Sequence, residues 1–242
     1  MRVLLTGAAG FVGRITLDLL KERHDVTAFD IQTVEGCLDA IEGDVLDYTT
    51  VGAIMAGHDA VVNTIMAPNL TYGGSGLGFT TNVTGVYNLL EAARVHGIQR
   101  FVHTSSGAVH EGYPRPPETF LTYDLYPLKA SGPYALSKIM QEELARNFHQ
   151  QHGMSIAVIR PWGIIDSERM VTTDGQPVTG FYWGAIDRRD VASALVCALE
   201  ADSIGYECFY VMATPGGYKA TDVARTEERL GWKPTITFDE DL

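Results

Sequence analysis

Thr6-Gly7-Ala8-Ala9-Gly10-Phe11-Val12-Gly13 follows directly on the apolar run Arg2-Val3-Leu4-Leu5. That run has the length of a buried strand. Phe11, Val12, Ile15, Leu17, Leu19 and Leu20 then read as the apolar positions of a helix. A glycine-punctuated turn between strand and helix is a phosphate cradle. Gly7 permits the tight turn, Gly10 lets the backbone approach a pyrophosphate, and Gly13 lets the helix pack close to the strand. The start of the helix adds unpaired N–H groups and a partial positive charge. Gly7, Gly10, Phe11, Val12 and Gly13 are therefore candidate contacts for a dinucleotide.

Further along, apolar runs and helical patterns alternate. Asp25–Asp30, Asp59–Ile65, Arg100–Thr104, Ser155–Ile159 and Cys208–Met212 read as strands. Val83–His96 and Tyr134–Gln151 read as helices, stopped by Gly97 and Gly153, and Asp190 reads as the N-cap of a third. Such alternation predicts an α/β fold with a parallel sheet covered on both faces. Two irregular segments, Met66–Gly78 and Glu111–Pro133, follow strand carboxyl ends, where open α/β sheets bind ligands.

The 242 residues suit one large domain, or one with a small appendage. A net charge of −12 argues against nucleic acid or an anionic membrane as partner, since each needs a basic face. Cys37, Cys197 and Cys208 are widely spaced, with no CxxC and no cluster at metal-ligand spacing. They read as buried free thiols in a reducing compartment, and no metal site is expected. Nothing at the amino terminus resembles a signal peptide, and no apolar stretch is long enough to span a bilayer, so a cytoplasmic location is expected.

Asp30 ends the second strand, about twenty residues past the glycine loop, where a carboxylate can bond ribose hydroxyls. It would repel a 2′-phosphate, and Ile31-Gln32-Thr33 offers no arginine to hold one. NAD is thus the expected cofactor. Asp44 and Val45 form a further short turn within reach of an adenine edge. Tyr134 and Lys138 lie four apart at the start of a helix and face the same side. A free phenol is a poor base at neutral pH, and a neighbouring ammonium lowers its pKa. Tyr134 then accepts a proton from a substrate hydroxyl as hydride leaves for the nicotinamide. Lys138 is also placed to hold the nicotinamide ribose. The strand ending in Thr104-Ser105-Ser106 brings a hydroxyl to the substrate oxygen.

These segments together resemble the extended short-chain dehydrogenases/reductases, the NAD-dependent epimerase/dehydratase family. TGAAGFVG is similar to the family's TGxxGxxG loop, FVHTSSGAV to its serine-bearing strand, and YALSK to its YxxxK. IRPWG (159–163), DRRDVA (187–192) and RLGWKP (229–234) resemble its later elements. The resemblance implies a Rossmann-like doubly wound sheet over residues 1–160. Residues 161–242 would form a small substrate lobe interleaved with the last core elements. It also implies Ser106, Tyr134 and Lys138 as the catalytic group, Asn82 as a structural residue, and Ala67 beside the cofactor. A homodimer through the helices at 83–96 and 134–151 is expected on the same ground.

The segment between Arg160 and Asp187 is short, which disfavours a nucleotide-sugar and points to a small, unactivated substrate. Within the family the chain is most similar to uronate dehydrogenases. Glu168-Arg169-Met170 resembles the segment that holds their substrate carboxylate, and an arginine fork suits that task. Gly107-Ala108 departs from their Asn-His after the serine. Ser106, Gly107, Tyr134 and Arg169 are the expected contacts to a sugar-type substrate. Tyr113 and Trp183 are candidates for stacking on a sugar face. A sugar or nucleotide-sugar 4-epimerase is the alternative activity, and a non-catalytic NAD sensor a third reading.

Overall fold

Val3 and Leu5 of the first strand point to one face of a sheet and Leu4 to the other, and all three are fully buried. That two-sided burial requires helices on both faces. The computed structural model describes residues 1–67, 76–114 and 118–239. The chain runs β1 (Arg2–Thr6), α1 (Gly13–Lys21), β2 (Asp25–Asp30), β3 (Ile41–Glu42), α2 (Tyr48–Met55), β4 (Ala60–Asn63), α3 (Leu77–Val95) and β5 (Arg100–Thr104). A 3-10 turn at Gly107–His110 precedes α4 (Pro133–His152) and β6 (Ser155–Pro161). Then come β7 (Gly163–Asp166), β8 (Val171–Thr172), β9 (Ala185–Asp187), α5 (Arg188–Glu200), β10 (Tyr206–Val211), α6 (Pro215–Ala220) and α7 (Val223–Leu230).

Seven strands form one sheet in the order β10-β6-β5-β4-β1-β2-β3, every pairing parallel. The core on the Val3–Leu5 face comes from α1 and α5, with Leu17, Leu20, Leu195 and Leu199. On the Leu4 face, Val51, Leu89, Leu90 and Phe148 come from α2, α3 and α4. The order reverses between β1 and β4, which opens a crevice beyond their carboxyl ends. A small second sheet, β8-β7-β9, stands beside that crevice. Among the described residues, no helix is long and apolar enough to cross a membrane.

The strands read from sequence are present, with the third trimmed to Ala60–Asn63. β3 and the β7–β9 sheet were not read, because strands of two to four residues carry too little periodicity. Asp190 is not the N-cap of α5; Asp187 is, its side chain accepting from the Arg189 amide. Asp190 sits inside the first turn, buried, and accepts from Thr235 N (2.9 Å) and Ile236 N (3.0 Å). It thereby ties the carboxyl-terminal RLGWKP stretch to α5. All three cysteines are free, but Cys208 alone is fully buried. Parts of the two irregular segments, residues 68–75 and 115–117, lie outside the described residues.

Asp187 anchors the turn after β7 as well as the helix. Its oxygens accept from Arg189 N and Nε (both 2.8 Å) and from Ser167 N (2.9 Å). Burial pushes its carboxyl pKa up, but these bonds outweigh burial and lower it to about 2. A depressed carboxylate stabilises above its unfolded pKa of 3.8, and that stabilisation fades as pH falls toward about 2. Asp187→Ala is expected to cost about 2 kcal/mol through loss of the cap and an unpaired Ser167 amide. For a chain of this size that lowers the thermal midpoint by roughly 4–8 °C. Calorimetry at neutral pH checks the drop, and a scan from pH 5 to pH 2 should show it shrinking.

Candidate functional site

The glycine loop is shaped by close backbone contact. Gly7 has φ +79°, and a side chain there would start 2.7 Å from Ile65 N and Thr64 Oγ1. A Cβ on Gly13 would lie 1.9 Å from the Gly7 carbonyl oxygen. Gly7 N donates to Phe29 O (2.9 Å), and Thr64 Oγ1 donates to Thr6 O and Gly7 O (2.9 and 3.1 Å). Asp30 fixes the far side, accepting from Ala9 N on Oδ2 and from Gln32 N on Oδ1 (both 2.9 Å). Each oxygen keeps a lone pair for a ribose hydroxyl. No side chain caps the N-terminus of α1, where the Arg14 amide donates to Gly10 O (3.2 Å).

A cavity of about 710 Å³ follows the carboxyl ends of the central strands. Gly7, Gly10, Phe11 and Val12 line it at one end, with Asp30, Asp44 and Val45 beside them. Gly13 does not line it and acts through the packing just described. Ala67 lines its middle, its amide donating to Asn82 Oδ1 (2.8 Å). Asn82 also receives Gln141 Nε2 on its carbonyl (3.0 Å) and donates to Ser137 Oγ (3.4 Å). It joins α3, α4 and the segment after β4, as its expected structural role requires. A cradle with tight glycines, an uncapped helix start and a carboxylate at the second strand end fits a dinucleotide such as NAD.

Ser106, Tyr134 and Lys138 meet at the other end of the cavity. Ser106 caps the 3-10 turn, accepting from Ala108 N (3.1 Å). Pro133 begins α4, so Tyr134 and Lys138 occupy its first two turns. Lys138 is buried and donates to Thr104 O (2.9 Å) and Gln141 Oε1 (3.2 Å). Burial lowers its pKa to about 8, against the pull of Glu142. Tyr134 departs from the expected lowering. Burial raises its pKa, the Ser106 hydrogen bond lowers it, and the charge of Glu111 raises it further. Burial and Glu111 thus favour the protonated phenol.

The remaining substrate candidates are not gathered there. Arg169 is exposed and outside the cavity lining. Its turn is pinned by Asp166 Oδ1, which accepts from Glu168 N and Arg169 N (both 3.1 Å), and the next residue, Met170, has φ +53°. Gly107 is covered by the indole of Trp162, which lines the cavity in its place. Tyr113 is engaged in packing, its hydroxyl donating to Pro127 O (2.8 Å) with Lys129 Nζ 4.0 Å from the ring centre. Trp183 packs behind Trp162 at 4.6 Å between ring centres. Trp162 is the residue that sequence reasoning passed over.

The model of the NAD dependent epimerase/dehydratase family matches residues 3–176. The chain is 34% identical over 169 residues to an L-arabinose 1-dehydrogenase (NAD(P)(+)) of Haloferax volcanii. That match spans 66% of this chain and 65% of the other, slightly under two thirds of the relative's length. It is 31% identical over 250 residues to a uronate dehydrogenase of Agrobacterium fabrum, covering 96% and 84% of the two chains. A tyrosine-to-alanine mutant of uronate dehydrogenase from Agrobacterium tumefaciens, complexed with NAD, superposes with a TM-score of 0.80 at 25% identity. That superposition covers 98% of this chain and 85% of that one.

The Gly13 contact sets the first test of the cofactor cradle. Gly13→Ala forces a methyl against a backbone carbonyl that has no flexible side chain to yield. NAD affinity measured by titration calorimetry should fall at least about tenfold, roughly 1.4 kcal/mol.

Proposed function

Because the chain belongs to the NAD dependent epimerase/dehydratase family, we propose that it is a dehydrogenase that oxidises a hydroxyl of a small sugar or sugar acid. The chain is an enzyme of that family and its cofactor is NAD. The observation that carries the proposal is the meeting of Ser106, Tyr134 and buried Lys138 on the wall of one cavity. NAD, when bound, supplies the hydride acceptor.

The chain's own residues supply the rest. Ser106 holds the substrate oxygen by hydrogen bonding, and Tyr134 takes its proton. Lys138 carries three donors, of which Thr104 O and Gln141 Oε1 take two. Its positive charge favours the phenolate, and so does the charge of the oxidised cofactor. Asp30, beside the Ala9 amide, receives ribose hydroxyls and disfavours a 2′-phosphate.

The uronate dehydrogenase relatives support a sugar acid among the substrates, and the L-arabinose enzyme supports a neutral one. The exposed position of Arg169 leaves the carboxylate clamp without support from geometry. A homodimer remains part of the proposal. Leu136 and Met140, one turn apart on α4, and Tyr87 on α3 expose apolar surface that a second copy would cover.

Uronic acids, free aldoses and nucleotide-sugars, each with NAD, provide the decisive assay at the NADH absorbance. Accumulation of NADH with a free sugar is expected; sugar interconversion without it would establish the epimerase instead. Tyr134→Phe should lower kcat by about 10²–10⁴-fold with NAD affinity kept. Because burial raises the phenol's pKa and Lys138 sheds its charge above about pH 8, the wild-type oxidation rate should climb toward about pH 8 and stop climbing above it. Arg169→Ala should change KM for a hexuronate by less than about twofold. A tenfold rise would restore the clamp.

A further inference from the structure

Three glycines beside the reacting group have no backbone reason to be glycine, since none has a positive φ. Each makes room for an aromatic ring. A Cβ on Gly107 would lie 2.1 Å from Trp162 Cε3, and one on Gly184 would lie 2.9 Å from Trp162 Cβ. A Cβ on Gly163 would lie 1.7 Å from the Tyr182 hydroxyl oxygen. Trp183 backs the indole of Trp162 at 4.6 Å and 54°. The ring of Trp162 is thus held by glycines on two sides and an indole on a third. It still lines the cavity shared by Ser106 and Tyr134.

Core packing alone does not account for this arrangement. Trp162 is only partly buried, and three side chains have been omitted to hold two aromatic rings in place. Burial pushes the Tyr182 hydroxyl up to about 12, and Tyr134 and Glu111 add to that rise. An indole face is large, flat and weakly negative, which suits the C–H face of a sugar ring. A rigid aromatic anchor in a pocket positions a ring at little entropic cost.

Resting on the dehydrogenase reading of the same cavity, we infer that Trp162, admitted by Gly107, is the specificity-determining platform of the site. Its indole stacks on the C–H face of the substrate's sugar ring beside Ser106 and Tyr134. It positions the ring and takes no part in proton transfer.

D-galactose and D-galacturonate are suitable probes, being matched hexoses that share the ring and differ at C6. Each is titrated by calorimetry into the NADH-loaded wild type, Trp162→Phe and Trp162→Leu, with KM and kcat measured in parallel with NAD. For the hexose that binds better, Trp162→Leu should raise Kd and KM at least about tenfold while kcat stays within about threefold. NAD affinity and the thermal midpoint should be unchanged. Trp162→Phe should recover most of the loss, because it keeps a ring face. The inference is overturned if the leucine variant binds the hexose as the wild type does, or if NAD affinity falls in step with it. It is overturned equally if neither hexose binds the wild type. NADH formation by the wild type separates the two claims. A wild type that binds a hexose but forms no NADH from it defeats the dehydrogenase reading, whereas the calorimetric ranking of the Trp162 variants still reports on the platform.

Discussion

A fully buried ion pair fixes the helix that carries both Tyr134 and Lys138. Glu142, one turn beyond Lys138 on α4, pairs with Arg160 of β6 at 2.7 Å, with both side chains excluded from water. Burying two charges costs several kcal/mol each unless the geometry and hydrogen bonding are complete. Here they are well supplied. Arg160 Nε also reaches Glu142 Oε1 (3.0 Å), Ser105 Oγ donates to that oxygen (2.6 Å), and Arg160 Nη1 reaches Tyr123 O (3.0 Å). One carboxylate therefore holds α4, β5 and β6 in fixed relation. Ser105 is adjacent to Ser106, so the same contact sets the distance between the candidate serine and the candidate base.

A second polar line crosses the strand ends. Thr6 donates to Asn63 Oδ1 (2.8 Å), and Asn63 Nδ2 meets His103 Nδ1 (3.1 Å), linking β1, β4 and β5. Burial first, and then the charge of Lys138, lowers the His103 pKa to about 3, so the imidazole stays neutral. A neutral ring there leaves Lys138 as the positive charge nearest the phenol among the described cavity-lining residues. Positioning and electrostatics thus come from the same buried layer, directly beneath the cavity floor.

What the sequence disclosed, and what it hid, follows from the range of the interactions. The glycine loop, Asp30 and the Tyr134–Lys138 spacing are local patterns whose geometry is set within one turn or one strand end. They could be read without the fold. The central strands were legible because burial on both faces makes them continuously apolar. Asp190 was misread because a buried carboxylate serving Thr235 and Ile236 has the local appearance of a cap. The direction of the Tyr134 shift depends on burial and on Glu111, which lies in a different segment, so no spacing rule encodes it. The short strands of the second sheet are held by their neighbours rather than by their own pattern.

Trp162 is the instructive case. Its neighbours in sequence, Pro161 and Gly163, say nothing of Gly107, which lies more than fifty residues earlier. The absence of a polar pair after Ser106 reads as a loss when viewed along the chain. In three dimensions the same absence is an exchange, because the missing side chain at Gly107 is the space the indole fills. A site that gives up a polar contact for an aromatic face trades hydrogen-bond selectivity for ring recognition. A hydrogen-bonding site rejects an analogue that leaves its polar groups unpaired, whereas an apolar wall discriminates far less between substituents. Around Trp162, this enzyme should therefore select strongly for a ring and weakly among the groups attached to it.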